Sequence, residues 1–157
     1  MTWQLFEITQ ADGQPLQMMI DDRFRADLPG EELPTLTRIR AWCVQPTDGY
    51  YWAPDESQEI EDVEEAVLAR ADEFGEGWAV YVMRRAVPGY LDYYFYSGGD
   101  AALERIVPAL QAAHPGRRFE TETSADPAWA NYGKWFAEAM VGKPHPEFAP
   151  DRQSGMN

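Results

Sequence analysis

The chain has 157 residues, 45% of them hydrophobic, with 27 acidic against 13 basic side chains for a formal net charge of −14. That length suits one domain with a sizeable core, and that charge opposes a phosphate backbone, whose binding rests on Lys and Arg displacing counterions. One cysteine, Cys43, excludes an intramolecular disulfide and a cysteine metal cluster, and no apolar run approaches the roughly 18 residues of a membrane-spanning helix.

Trp3 to Thr9 alternates Trp3, Leu5 and Glu7 against Gln4, Phe6 and Ile8, the period of a strand. Asp12-Gly13 marks a turn within Ala11 to Pro15, and Leu16 to Ile20 returns, which predicts an N-terminal hairpin. This N-terminus has neither a basic region nor an apolar core, so a cytoplasmic location is the expectation. Asp21 to Pro34 reads as a polar loop. Leu36 to Val44 alternates again, and Gln45 to Pro54 is a loop rich in aromatics.

The helix from Asp55 to Gly75 is the strongest in the chain. Ile60, Val63, Val67, Ala71 and Phe74 recur at three- and four-residue steps, giving one apolar face. Ten of the 22 residues from Asp55 to Glu76 are acidic and only Arg70 is basic. Asp55 is the expected N-cap, with Gln58 reaching back, and Gly75 the expected stop.

Trp78 to Arg84 is apolar on both faces, which predicts a central strand. Pro88-Gly89 turns the chain into Tyr90 to Tyr96, with Leu91, Tyr93 and Phe95 opposite Asp92, Tyr94 and Tyr96. A second helix capped by Asp100 carries Leu103, Ile106, Val107 and Leu110, with a kink expected at Pro108, and stops at His114. Arg118 to Thr123 is a short strand. Asp126-Pro127 opens a third helix with the proline at its first position and Trp129, Tyr132, Phe136 and Met140 inward. Residues 143–157 read as a disordered tail behind one domain spanning 1–142.

The core order is strand, helix, strand, strand, helix, strand. It predicts an α+β fold, the ferredoxin-like split βαβ antiparallel sheet with both helices on one face, extended by the hairpin and joined by the C-terminal helix.

Several stretches carry a resemblance that runs from about Trp3 to Met140. They are Trp3, Gly13-Gln14-Pro15, Asp48-Gly49, Glu59-Ile60-Glu61-Asp62, Tyr93-Tyr94-Phe95-Tyr96 and Asp126-Pro127-Ala128-Trp129-Ala130-Asn131-Tyr132, the last being the most specific. The chain resembles the bacterial domain of unknown function 695 family. Members often continue the Asp-Gly with Leu-Pro, where this chain has Tyr50-Tyr51-Trp52-Ala53-Pro54. The family has no assigned activity and supplies no catalytic residues. It is distantly similar to the acidic protein inhibitors of ribonuclease E, a likeness of layout that implies protein–protein regulation by analogy alone.

The acidic run Glu56, Glu59, Glu61, Asp62, Glu64 and Glu65 has two readings. It is the solvated face of an amphipathic helix, or it docks on a basic groove, with Glu61, Asp62, Glu64 and Glu65 as the contact. Tyr51, Trp52, Tyr94 and Tyr96 are the aromatic candidates for a partner surface; covered by the hairpin or by the last helix, Tyr94 and Tyr96 would be core instead. His114 and His145 are isolated, Cys43 alternates with Ile39 and Ala41 as a small hydrophobe, and no nucleophile–base arrangement, phosphate loop or metal-ligand spacing is present. Asp21-Asp22 and Asp92 could pair as acid and base, with nothing in the sequence fixing their separation.

These features predict a non-enzymatic interaction or regulatory module with no cofactor and no metal, whose partner is a basic protein surface rather than nucleic acid or membrane. Two alternatives stand beside it. One is a small-molecule binder or hydrolase with a cleft between the sheet and the C-terminal helix. The other is a homodimer pairing sheets through Tyr94 and Tyr96.

Overall fold

The structure, a computed structural model, describes residues 3–29, 31–47, 50–76, 78–98, 102–139 and 143–144. Its strands are β1 (Trp3–Thr9), β2 (Pro15–Asp21), β3 (Thr35–Trp42), β4 (Ala79–Val87), β5 (Tyr90–Ser97), β6 (Phe119–Ala125) and β7 (Lys143–Pro144). Its helices are α1 (Ser57–Gly75), α2 (Ile106–Ala113) and α3 (Ala130–Ala139). The strands form one antiparallel sheet in the order β6-β3-β5-β4-β2-β1-β7. The segment β6-β3-β5-β4 is the split βαβ arrangement, and the hairpin extends it through β2 on β4. The fold class is therefore the one expected.

Helices α1 and α2 cover one face. Ile60, Val63, Val67 and Ala71 of α1 and Ile106 and Leu110 of α2 pack on Ile39, Ala41, Leu91, Tyr93 and Phe95. Helix α3 covers part of the opposite face, where Tyr132, Trp135 and Phe136 meet Met18, Ile20, Leu36, Met83 and Tyr96. A bulge in β4 shares the work between the two layers. Tyr81 pairs with Phe95 and Met83 with Tyr94, leaving Val82 as an extra residue. Val82 and Met83 both join the α3 side, so Arg84 turns toward α1 and Arg85 toward α3. The strict alternation expected through Met83 fails there.

Several helix ends differ from expectation. Residues Pro54–Glu56 form a 3-10 turn, α1 starts at Ser57, and neither Asp55 nor Glu56 caps it with a side-chain hydrogen bond. At its other end Glu76, not Gly75, takes the left-handed conformation, with φ of 50°. Gly75 is needed for space instead: a Cβ there would lie 2.6 Å from the Cβ of Ala79. Pro108 falls in the first turn of α2, where an N–H has no partner within the helix, so the cost of an interior proline does not arise. Asp100, Met140, His145 and most of the expected tail lie outside the described residues, while Lys143 and Pro144 pair with Glu7 and Phe6 on β1.

The segment Asp126–Tyr132 fastens α3 to the sheet. The Asp126 carboxylate accepts from the backbone N–H groups of Ala130 (2.8 Å) and Asn131 (3.0 Å), from Asn131 Nδ2, and from the Tyr96 hydroxyl (2.6 Å). It caps the helix across a turn, and α3 begins at Ala130, so Pro127 lies ahead of the helix and not at its first position as expected. Trp129 stands at φ 54° and donates its indole N–H to the Leu33 carbonyl at 2.9 Å. The left-handed region costs a bulky residue roughly 1–2 kcal/mol, and complete burial of its ring offsets that.

Candidate functional site

One of the acids grouped together in the sequence leaves the surface altogether. Glu56 is wholly buried, its carboxylate taking the N–H groups of Val44 (3.0 Å) and Gln45 (2.9 Å) where the chain leaves β3. Arg117, in the turn between α2 and β6 and also buried, places Nη1 2.6 Å from the same carboxylate and 2.8 Å from the Trp42 carbonyl. Its Nη2 reaches Glu59 at 3.1 Å. Burial pushes the Glu56 carboxyl upward, but the two backbone N–H groups and the guanidinium outweigh it and hold the group below the usual carboxylate range. Nothing in the sequence distinguishes Glu56 from its neighbours, since its role depends on an arginine 61 residues away.

The remaining candidates on α1 also divide. Glu64 is half-buried and bound by the Tyr81 hydroxyl (3.2 Å) and Arg84 (3.4 Å). Glu61, Asp62 and Glu65 are exposed, as is Asp72, and none of these four has a cationic partner among the described residues. Asp62 accepts only the Gln58 amide, at 3.1 Å. Helical spacing sets Glu61, Glu65, Leu68 and Asp72 in one outward stripe, with Leu68 36% exposed within it.

Where β3 ends, the start of α1 and the α2–β6 turn enclose an open cleft of about 410 Å³ lined by Val44, Glu59, Asp62, His114, Pro115 and Arg117. Val44 is 57% exposed on its wall. A second, smaller cleft of about 160 Å³ lies between the sheet and α3, lined by Leu36, Arg38, Tyr94, Glu122, Asn131 and Trp135.

The aromatic candidates are less available than their sequence positions suggest. Tyr96 is fully buried, so it has no surface to offer a partner while α3 is in place; the aromatic face of α3 needs an apolar floor, and Tyr96 is part of it. Tyr94 is half-buried with its ring 4.6 Å from Trp135, and burial pushes its hydroxyl up to about 12. Tyr51 and Trp52 are half-buried against the α1 side of the core, with the Trp52 indole donating to the Ser57 hydroxyl. Tyr50, at 64%, from the aromatic loop, and Trp78, at 61%, are the aromatics most exposed among the described residues.

Asp92 is held bidentate by Arg40, at 2.7 and 2.9 Å, beneath a guanidinium stacked 3.9 Å from the Tyr90 ring centre. Asp21 takes Arg23 at 3.2 Å. Each carboxylate has its own cation, and the structure does not assemble the two as an acid–base pair. Burial raises the Cys43 thiol to about 11, the opposite of activation. Among the described residues no three His, Cys, Asp or Glu side chains converge as metal ligands, and no helix is long and apolar enough to cross a membrane.

The match to a known family covers most of this architecture. The model for the family of unknown function DUF695 matches residues 1–136. The chain belongs to that family. The matched span of this DUF695 member takes in the sheet from β1 to β6, both helices of the first layer and the Asp126–Tyr132 clasp, so the resemblance carried by that clasp has a structural basis. No curated protein and no solved structure matches the chain.

Proposed function

We propose that this DUF695 domain is a protein-binding module that turns the acidic stripe of α1 toward a basic partner surface. The observation that supports this reading is the unneutralised state of Glu61, Glu65 and Asp72, beside α1 carboxylates that have found arginines within the fold. Exposed carboxylates left unpaired on one helical stripe steer and orient a cationic partner, and Leu68 adds apolar area among them. The distant resemblance to acidic inhibitors of ribonuclease E leans the same way by layout alone.

The alternative of a ligand cleft between sheet and C-terminal helix is weaker, because about 160 Å³ falls below the roughly 300–1,000 Å³ of ordinary small-molecule sites. The test compares wild type with the triple variant Glu61→Gln, Glu65→Gln, Asp72→Asn. Proteins retained from lysate by the wild type are identified, purified and titrated against both forms at low and high salt. Binding lost in the variant, and weakened by salt in the wild type, supports the reading. Equal affinity for both forms refutes it.

A further inference from the structure

We infer that the cleft at the start of α1 is an anchor pocket for one lysine or arginine side chain presented by a protein partner. The inference rests on the reading of α1 as a docking surface and names the chemistry of its contact.

The open cleft measures about 410 Å³, within the roughly 300–1,000 Å³ of ligand pockets in general. Its charge selects the occupant. Both terminal nitrogens of Arg117 are engaged, by Glu56 and the Trp42 carbonyl on one side and by Glu59 on the other. The buried Glu56 already offsets the Arg117 guanidinium, so the two carboxylates that line the cleft, Glu59 and Asp62, leave it with surplus negative charge, and Asp62 has only the Gln58 amide as a partner. An anion entering would meet this surplus of negative charge, whereas a cation would complete it.

The walls specify more than charge. Val44 and Pro115 give an apolar flank next to Asp62. Lysine and arginine carry that combination, an aliphatic stem ending in a charged head. One wall is set in advance: Arg117 is fixed by Glu56, Glu59 and the Trp42 carbonyl, so the pocket loses little order when filled. The occupant argued for is a segment of a protein, because the pocket opens beside the exposed face of α1, where neighbouring basic residues would meet Glu61 and Glu65.

The experiment titrates the ¹⁵N-labelled full chain with three blocked pentapeptides, Ala-Val-Lys-Val-Ala and its arginine and norleucine counterparts, and with cadaverine. Saturable shifts are expected at the amides of Val44, Asp62, His114 and Gly116 with the lysine or arginine peptide, and none with norleucine. Asp62→Asn is expected to weaken binding by about tenfold or more. Val44→Lys, which supplies an ammonium from the pocket's own wall, is expected to abolish it. Equal binding of the norleucine peptide, or no change in Asp62→Asn, overturns the inference. Cadaverine binding as tightly as the peptides also overturns it, by making the cleft a site for free amines. Shifts confined to the Glu61–Asp72 stripe would remove the anchor and leave the docking surface standing. Loss in Asp62→Asn with none in the triple variant would do the reverse.

Discussion

The rings of Tyr96 and Trp129 lie face to face, 3.9 Å between centres and 8° from parallel, and join β5 to the chain that leads into α3. The Tyr96 hydroxyl donates to Asp126 at 2.6 Å, so one tyrosine holds both the cap and the aromatic anchor of that helix. Trp129→Ala is expected to lower stability by about 3–5 kcal/mol, the range for truncating a large buried aromatic. Tyr96→Phe keeps the stack and removes one of the four hydrogen bonds to the Asp126 carboxylate, which costs about 1.5–3 kcal/mol for a bond to a charged group. Urea unfolding followed by far-UV circular dichroism measures both. If Tyr96→Phe cost more than Trp129→Ala, the hydrogen bond rather than the stack would dominate the joint.

Removing Arg117 leaves the buried Glu56 carboxylate with two backbone N–H groups and no cation. Arg117→Ala is expected to cost about 3–5 kcal/mol, and the double variant Glu56→Gln, Arg117→Met less than the Arg117 change alone. A double-mutant cycle on urea midpoints reads the coupling. Losses below about 1 kcal/mol for Arg117→Ala would mean that water replaces the guanidinium without difficulty.

Acid should unfold the domain through two buried carboxyls. At Asp126, burial raises the pKa, but the Tyr96 hydroxyl and the N–H groups of Asn131 and Ala130 lower it further; Glu56 is depressed as well. A depressed carboxyl binds its proton more readily in the unfolded chain. Its contribution is complete above the ordinary values of 4.5 for Glu56 and 3.8 for Asp126, and is lost as pH falls through the lower folded values. Urea midpoints from neutral pH to about pH 3 should hold steady and then fall, and Glu56→Gln should flatten that fall. A Glu56→Gln curve parallel to wild type throughout would remove Glu56 as a source of the acid sensitivity.

Two glycines should respond to alanine in opposite senses. Gly75→Ala drives a methyl to within 2.6 Å of the Ala79 Cβ, and overpacking of this kind costs about 1–3 kcal/mol despite alanine's better helix propensity. Gly133, inside α3, has nothing within 4 Å of an added Cβ, so Gly133→Ala should gain about 0.5–1 kcal/mol. Thermal melts of the two variants separate the effects, and a gain at position 75 would show that the α1–β4 approach relaxes freely.

The sheet was legible because its signal is local. Leu91, Tyr93 and Phe95 face α1 and α2 as their alternation predicts, and the apolar stripe of α1 is buried at Ile60, Val63, Val67 and Ala71. The misses arise where distant parts of the chain decide. Glu56 leaves its acidic run because Arg117 comes to it, and Tyr96 leaves the surface because Trp129 stacks over it. The bulge at Val82 had no glycine to betray it, since both residues involved are apolar and pack beneath α3. The cleft beside Val44 combines three separate segments and has no sequence spacing at all.

That bulge bears on how the fold tolerates changes in length. β4 is the middle strand of the seven, where deleting a residue would ordinarily turn every later side chain to the wrong face. Val82 is the exception. Without it Tyr81 would be followed by Met83, still opposite Tyr94, with Arg84 still toward α1 and Arg85 still toward α3. The centre of the sheet thus contains one position where a natural deletion would preserve the inheritance of both faces, at the expense of local twist and one buried valine.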